Sequence, residues 1–199
     1  MIKAIIFDWG NVIEHIDSDK FIDKMSKVLE VEPTKFQEVE LKNRLKHDLG
    51  QINTPQFISN INKEINTNIT QESYYELIEK WKIMILNKEL LKIIKNLKKE
   101  YKIFLLSNNS PPVLKKIKEK NIDKYFDKML FSFQTKTKKP DPKFFREILK
   151  KTNLTPENCL MIDDRKDICE SAKNFGMKYI VFKNNEQLKK DLKKYKIIK

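Results

Sequence analysis

Ala4-Ile5-Ile6-Phe7-Asp8-Trp9-Gly10-Asn11-Val12 begins with four consecutive apolar residues and runs into a single carboxylate and a glycine turn. The apolar run does not alternate, so it reads as a short strand covered on both faces rather than one with a wet side. Four further runs have the same character, at 103–106, 129–131, 159–162 and 179–182. All four lie between residues 102 and 182 and are separated by helix-length segments, which predicts βα units and a parallel sheet.

The segments between them carry helix punctuation. Pro111 and Pro112 precede an amphipathic stretch over 113–120, and Asp141-Pro142 opens one over 143–151 with Phe144, Ile148 and Leu149 on one face. Asp167 is expected to cap a helix that ends at Gly176, and 186–195 reads as a charged terminal helix. The stretch 17–86 differs: it has helical periodicity and no strand pattern. Helix starts are marked at Asp17 or Asp19, at Pro33-Thr34, at Thr54-Pro55 and at Thr70 with Glu72 behind it. About four helices fit there, and a further one near 88–99 serves as the crossover to the second strand. The fold class is therefore α/β, a doubly wound Rossmann-like parallel sheet built from 1–16 and 87–199, with a helical subdomain inserted over 17–86.

Bulk composition agrees with such a protein. The chain has 199 residues, 40% hydrophobic and 35% charged, enough for one sizeable domain or a core with an insertion. No apolar run approaches the roughly 20 residues of a membrane span. Met1 leads directly into the first strand without signal-peptide architecture, so a cytoplasmic location is expected. A net charge of +13 raises the question of nucleic acid, but the lysines are spread along the chain and arginine occurs only at Arg44, Arg146 and Arg165. Aromatics are not interleaved with a basic cluster, so nucleic acid is not the expected partner, and no membrane is. Cys159 and Cys169 match no zinc or redox spacing and read as reduced, packed thiols.

In open α/β sheets ligands bind beyond the carboxyl ends of the strands. The first strand ends in Asp8, the second in Ser107-Asn108-Asn109 and the fourth in Asp163-Asp164, while Lys139-Pro140 stands between the third and fourth at the mouth of a helix. The carboxylates of Asp8 and Asp164 are hard oxygen donors suited to Mg2+. Ser107 and Asn108 offer neutral groups for a phosphoryl moiety, and Lys139 a balancing cation.

An Asp after the first strand followed by a small turn and Val, a Ser-Asn after the second, a Lys-Pro, and an acidic pair before a helix stand here in one order along the chain. They resemble the four signature motifs of the haloacid dehalogenase superfamily. One such motif alone says little, because an Asp ending a strand is most often a turn residue; four in order carry the resemblance over the whole chain. It implies that the 17–86 insertion is a helical cap. It also implies a two-step hydrolysis in which Asp8 attacks phosphorus and water releases the aspartyl-phosphate. Mg2+ would be held by Asp8, the Gly10 backbone carbonyl and Asp164. Ser107 and Asn108 would orient phosphoryl oxygens, and Lys139 would neutralise charge. Asp163 would support Lys139 or a metal-bound water, or simply orient the following loop. The substrate implied is a small phosphate ester, a sugar phosphate among the options, because Asp8-Trp9-Gly10-Asn11-Val12 is similar to the nucleophile turn of a sugar-phosphatase-like branch.

The chain departs from the family pattern at two places. Most of these phosphatases carry a second Asp two residues after the nucleophile as general acid and base, a contribution of about 10²–10⁴ in rate, or about 3–5 kcal/mol of barrier; here that residue is Gly10. Four residues after the metal-binding Asp the family often has Asp or Asn, where this chain has Ile168, with Asp167 either substituting or capping. His15, close behind the nucleophile turn, is a candidate proton donor by its ordinary pKa, as is His47 in the insertion; both also suit plain surface or packed positions. Trp9 stands next to the nucleophile, near the mouth, while the other aromatics read as packing. Two alternatives share the same motifs: a metal-independent 2-haloacid dehalogenase using Asp8, and a catalytically weak relative that binds a phosphorylated ligand or a partner protein.

Overall fold

The computed structural model describes every residue of the chain except Lys82 and Lys151. The first apolar run forms β1 (Ala4–Phe7), and after the nucleophile turn a short β2 (Glu14–Ile16) leads into four helices. These are α1 (Ser18–Leu29), α2 (Pro33–Asp48), α3 (Thr54–Ile65) and α4 (Gln71–Lys80), followed by β3 (Met84–Leu86) and α5 (Lys88–Leu97). The remainder alternates: β4 (Lys102–Ser107), α6 (Pro111–Glu119), β5 (Lys128–Phe131), a single turn α7 (Ser132–Thr135), α8 (Pro142–Leu149), β6 (Cys159–Asp163), α9 (Lys166–Asn174), β7 (Lys178–Val181) and α10 (Asn185–Lys194).

The five longer-range strands pair in parallel in the order β5-β4-β1-β6-β7. The chain adds strands to one side of β1 and then to the other, so the order reverses at β1 and a crevice opens beyond its carboxyl end. Alternation along each strand sorts the core into two layers. Ile5, Phe7, Ile103, Leu105, Leu160 and Ile162 pack with Leu90 and Ile94 of α5, Ile117 of α6, and Leu188 and Leu192 of α10. Ala4, Ile6, Phe104, Leu106 and Met161 face the other way, onto Phe144, Phe145 and Ile148 of α8 and Ile168 and Ala172 of α9. Both faces are covered, which is why the strands read as unbroken apolar runs. Cys159 and Cys169 are free and buried.

Helices α1–α4 enclose an apolar cluster of their own, with Met25, Phe36, Phe57, Ile61, Tyr74 and Ile78 buried. Their starts are locally encoded. Asp17 accepts from Lys20 N–H at α1, Asn53 and Gln56 form a reciprocal capping box at α3, and Thr70 accepts from Ser73 N–H at α4.

Two expectations are corrected. The 17–86 stretch does contain a strand: β3 pairs antiparallel with β2, His15 opposite Ile85. Three residues are too few to show a period, and the pairing joins residues about seventy apart, which no local pattern reports. Asp167 does not cap α9. Arg165 occupies the N-cap, and the Asp167 carboxylate, two residues on in the first turn, is taken by the Arg165 guanidinium at 3.1 and 2.6 Å. Gly176, at φ +100°, does lie just past the end of α9 in the left-handed region. The expected helix over 143–151 ends at Leu149, and residue 151 is outside the described residues. No helix among the described residues is long and apolar enough to cross a membrane.

Candidate active site

Asp8 follows the last residue of β1, its N–H still donating to the Ile162 carbonyl at 2.9 Å, so its position is set by the sheet itself. Its Oδ1 accepts from its neighbour's backbone N–H (Trp9, 2.7 Å) and from the Lys139 ammonium at 2.7 Å. Among the described residues its Oδ2 has no hydrogen-bond partner. Lys139, only 1% exposed, also donates to Asp163 Oδ2 at 2.6 Å. The second oxygen of Asp163 accepts from the Arg165 backbone N–H at 3.0 Å, so both of its oxygens are engaged.

Lys139 reaches this position because Asn108 holds its backbone. The Asn108 amide accepts from Lys139 N–H at 2.8 Å and donates to the Lys139 carbonyl at 2.9 Å. The Asn108 side chain is thus committed to fixing the lysine, a role the sequence reading did not give it. Ser107, the buried last residue of β4, accepts from the Asn109 side chain at 2.9 Å and keeps its own proton to donate. Asp164 is half-buried, with one oxygen 3.4 Å from the Asn11 side-chain amide, and Asn11 itself turns the chain at φ 55°.

Oxygen atoms of Asp8, Asp163 and Asp164 lie within 4.8 Å of one another. Three carboxylates against one ammonium leave two negative charges in a largely buried place. Burial pushes the Asp8 carboxyl up to about 7 despite the lowering effect of Lys139, with Asp163 adding to the rise. Burial and Asp163 raise Asp164 as well. Burial works against the Lys139 charge, yet Asp8 and Asp163 hold its pKa above the ordinary value. A cluster of hard oxygens short of two positive charges suits a small divalent cation.

The remaining candidates fall elsewhere. The Trp9 ring is 1% exposed and packed in the core, its indole N–H donating to Glu14 Oε2 at 3.0 Å, so it offers no face to a ligand. Ile168 is 2% exposed and turns into the α8–α9 layer, away from the carboxylates. Exposed His15 alternates along β2 with buried Glu14. His47 is buried, stacks on Phe57 at 4.9 Å and bonds Thr54 Oγ1 at 3.0 Å, and burial lowers its pKa to about 4. At Gly10, a Cβ would meet only Ile16 Cδ1, at 3.8 Å, so no steric demand keeps that position a glycine.

The sequence reading gave no role to the other polar groups that line a cavity between the helical unit and the loop after β4, a cavity that His47 also lines. Glu40, Arg44 and Asp48 from α2, and Tyr74 and Tyr75 from α4, meet Asn109 and Ser110 there. Asp48 ends a helix and by sequence is an ordinary solvated charge; only the packing of α2 on the core brings it in. The Ser132 hydroxyl bridges that contact, donating to the Asp48 carbonyl and lying 3.5 Å from the Asn109 carbonyl.

A reversing parallel sheet with carboxylates and a buried lysine at its switch point belongs to a hydrolase class, and the chain is a member of the haloacid dehalogenase-like hydrolase family, whose model matches residues 2–176. It is 26% identical to a D-ribitol-5-phosphate phosphatase of Bacteroides thetaiotaomicron over 96% of this chain and 97% of that one. Its fold resembles that of a predicted hydrolase of the same family from Porphyromonas gingivalis (TM-score 0.85, 23% identity, 100% of both chains). It also resembles a family enzyme of Bacteroides thetaiotaomicron crystallised with magnesium and inorganic phosphate (TM-score 0.80, 21% identity, 94% of this chain and 99% of that one).

Proposed function

We propose that the chain is a Mg2+-dependent phosphomonoesterase acting on small phosphorylated sugars or polyols, with Asp8 as nucleophile. The observation that supports it most is the Asp8–Lys139–Asp163 cluster at the switch point of the sheet, with Asp164 beside it. The similarity to a polyol-phosphate phosphatase along nearly the whole chain favours the substrate class. The turn Asp8-Trp9-Gly10-Asn11-Val12 resembles the nucleophile turn of a sugar-phosphatase-like branch.

Mg2+ held by Asp8, Asp164 and the Gly10 carbonyl would neutralise the excess negative charge and polarise the phosphoryl oxygens. Asp8 Oδ2, free of hydrogen bonds among the described residues, attacks phosphorus in line while Oδ1 stays fixed by Lys139 and the Trp9 N–H. The ester oxygen departs with the electron pair of its P–O bond and takes up a proton from solvent. Water then adds to the aspartyl-phosphate, returning the Asp8 carboxylate and releasing inorganic phosphate. Ser107 donates to a phosphoryl oxygen, and Lys139 balances charge on nucleophile and phosphate. Asn108 and Asp163 act through Lys139, as positioning residues. The helical unit over 17–86 covers the site of the core (1–16 and 87–199) as a cap. Asp167 and His15 are given no part.

The test is hydrolysis of p-nitrophenyl phosphate with Mg2+ or with chelator, for the wild type and Asp8→Asn. Metal-dependent turnover that disappears in the variant is the expected result. Turnover that persists in Asp8→Asn, or metal-independent halide release from a 2-haloacid, would overturn the reading.

A further inference from the structure

The cavity between α2, α4 and the loop after β4 takes no part in the chemistry above, yet it adjoins it. It encloses about 160 Å³, roughly five waters' share of liquid volume. Asn109 and Ser110 form one wall, and Asn109 is the residue whose side chain donates to Ser107. A phosphoryl group at Ser107 and a space for its organic part therefore share a single loop. Phe21, Ile78, Met84 and Pro112 supply apolar walls.

Polar groups converge on this space without being used up by the protein. Tyr74 is 3% exposed, and among the described residues its hydroxyl has no hydrogen-bond partner; neither has that of Tyr75, packed edge-on against it at 5.3 Å. Neither hydroxyl is sealed in the interior, since both side chains line the cavity, so each is available to bond an occupant of it. Asp48 stands beside them at the end of α2, with Ser110 donating to its carboxyl.

The charge state of the lining selects among occupants. Burial raises both carboxyls, Asp48 to about 7, and Glu40 pairs with Arg44 at 3.4 Å. Burial also raises both tyrosines, so they stay neutral hydrogen-bond donors. The lining thus holds groups that both donate and accept; Arg44 is already paired with Glu40 and burial keeps His47 neutral, so the lining does not favour a second anionic group. Hydroxyls on a carbon chain match it: their O–H groups meet the carboxyl and phenols, and their C–H faces meet the apolar walls.

We propose that this cavity seats the neutral, hydroxylated tail of the phosphate ester, and that Asp48, Tyr74 and Tyr75 are the residues that read its hydroxyl groups. The assignment rests on the phosphatase reading for the position of the phosphoryl group, but its test is a binding ratio that needs no turnover. In the Asp8→Asn background with Mg2+, calorimetry gives Kd for ribitol 5-phosphate, 3-phosphoglycerate and inorganic phosphate. Ribitol 5-phosphate is expected to bind at least about tenfold more tightly than either of the others, as two or three net hydrogen bonds would give. Adding Tyr75→Phe, which keeps the ring, or Asp48→Asn should cut that preference at least about threefold. Equal binding of ribitol 5-phosphate and inorganic phosphate, a preference untouched by both substitutions, or tighter binding of 3-phosphoglycerate would each overturn the proposal; binding of none of the three overturns it together with the phosphatase reading. Absent hydrolysis by the wild type with the preference intact would remove the phosphatase reading and leave the pocket standing.

Discussion

Lys139 brings one ammonium into a place only 1% exposed, 2.7 Å from Asp8 and 2.6 Å from Asp163. Removing one partner of a buried ion pair costs about 3–5 kcal/mol, because the partner left behind is an uncompensated charge. Lys139→Met should therefore lower the urea midpoint markedly at pH 7 as well as abolish turnover; a stable, merely inactive variant would show that the lysine is not holding the carboxylates. At Gly10 the space for a side chain is open. Gly10→Asp is expected to raise kcat/KM for alkyl phosphates about tenfold or more, within the range of general acid help, and to affect an activated aryl ester much less. No gain on alkyl esters would mean that a proton donor already serves the leaving group. Asp48 has a folded-state pKa of about 7 against an ordinary 3.8. The folded chain then binds more protons than the unfolded chain between those values, so this group makes stability fall as pH rises from about 4 to about 7. Asp48→Asn should flatten the fall of Tm across that interval, and an unchanged slope would refute the assignment.

At the scale of elements, the decisive contacts are where the helical unit meets the core. Helix α2 ends at Asp48, and two residues later Gly50 turns the chain at φ +63°. A Cβ there would lie 2.5 Å from the Phe133 carbonyl oxygen, just after β5, so both the left-handed backbone and the close approach require glycine. Gly50→Ala should destabilise by more than about 1 kcal/mol, read as a lower thermal midpoint. Because the same turn carries Asp48, its KM for phosphorylated polyols should rise too. A second junction joins α4 to α6. Glu79 meets Lys116 at 3.2 Å and Lys120 at 3.6 Å, while Lys116 continues at 2.7 Å to buried Glu14, the partner of the Trp9 indole. The residue next to the nucleophile is thus linked through three side chains to the helical unit.

For the molecule as a whole, folding gathers three carboxylates from two strand ends around one lysine. The sheet and its two apolar layers hold the strand ends that carry them. A ligand that binds only the folded chain stabilises it by about 2.7 kcal/mol at a hundred times its Kd. Mg2+ should accordingly raise the thermal midpoint of the wild type, chelator should reverse the rise, and Asp164→Asn should lose most of it. An equal Mg2+ response in Asp164→Asn would place the ion elsewhere.

What could be read from residues alone is what short stretches of chain encode. The five unbroken apolar runs, the helix starts at Asp17, Pro33 and Thr70, and the polar residues at the ends of β1, β4 and β6 are set by side-chain period and turn chemistry within a few positions. They were enough to place Asp8, Ser107, Lys139, Asp163 and Asp164 toward the carboxyl end of a parallel sheet. The use made of each side chain was decided by neighbours far away in sequence. Asn108 spends its amide on the backbone of Lys139, thirty-one residues on. β2 finds β3 across the whole helical unit. Asp48 becomes a cavity carboxyl because α2 docks beside Ser110 and Ser132. Burial and long-range hydrogen bonding depend on which surfaces meet, and a polar residue at a helix end looks the same in sequence whether it ends in water or in a pocket.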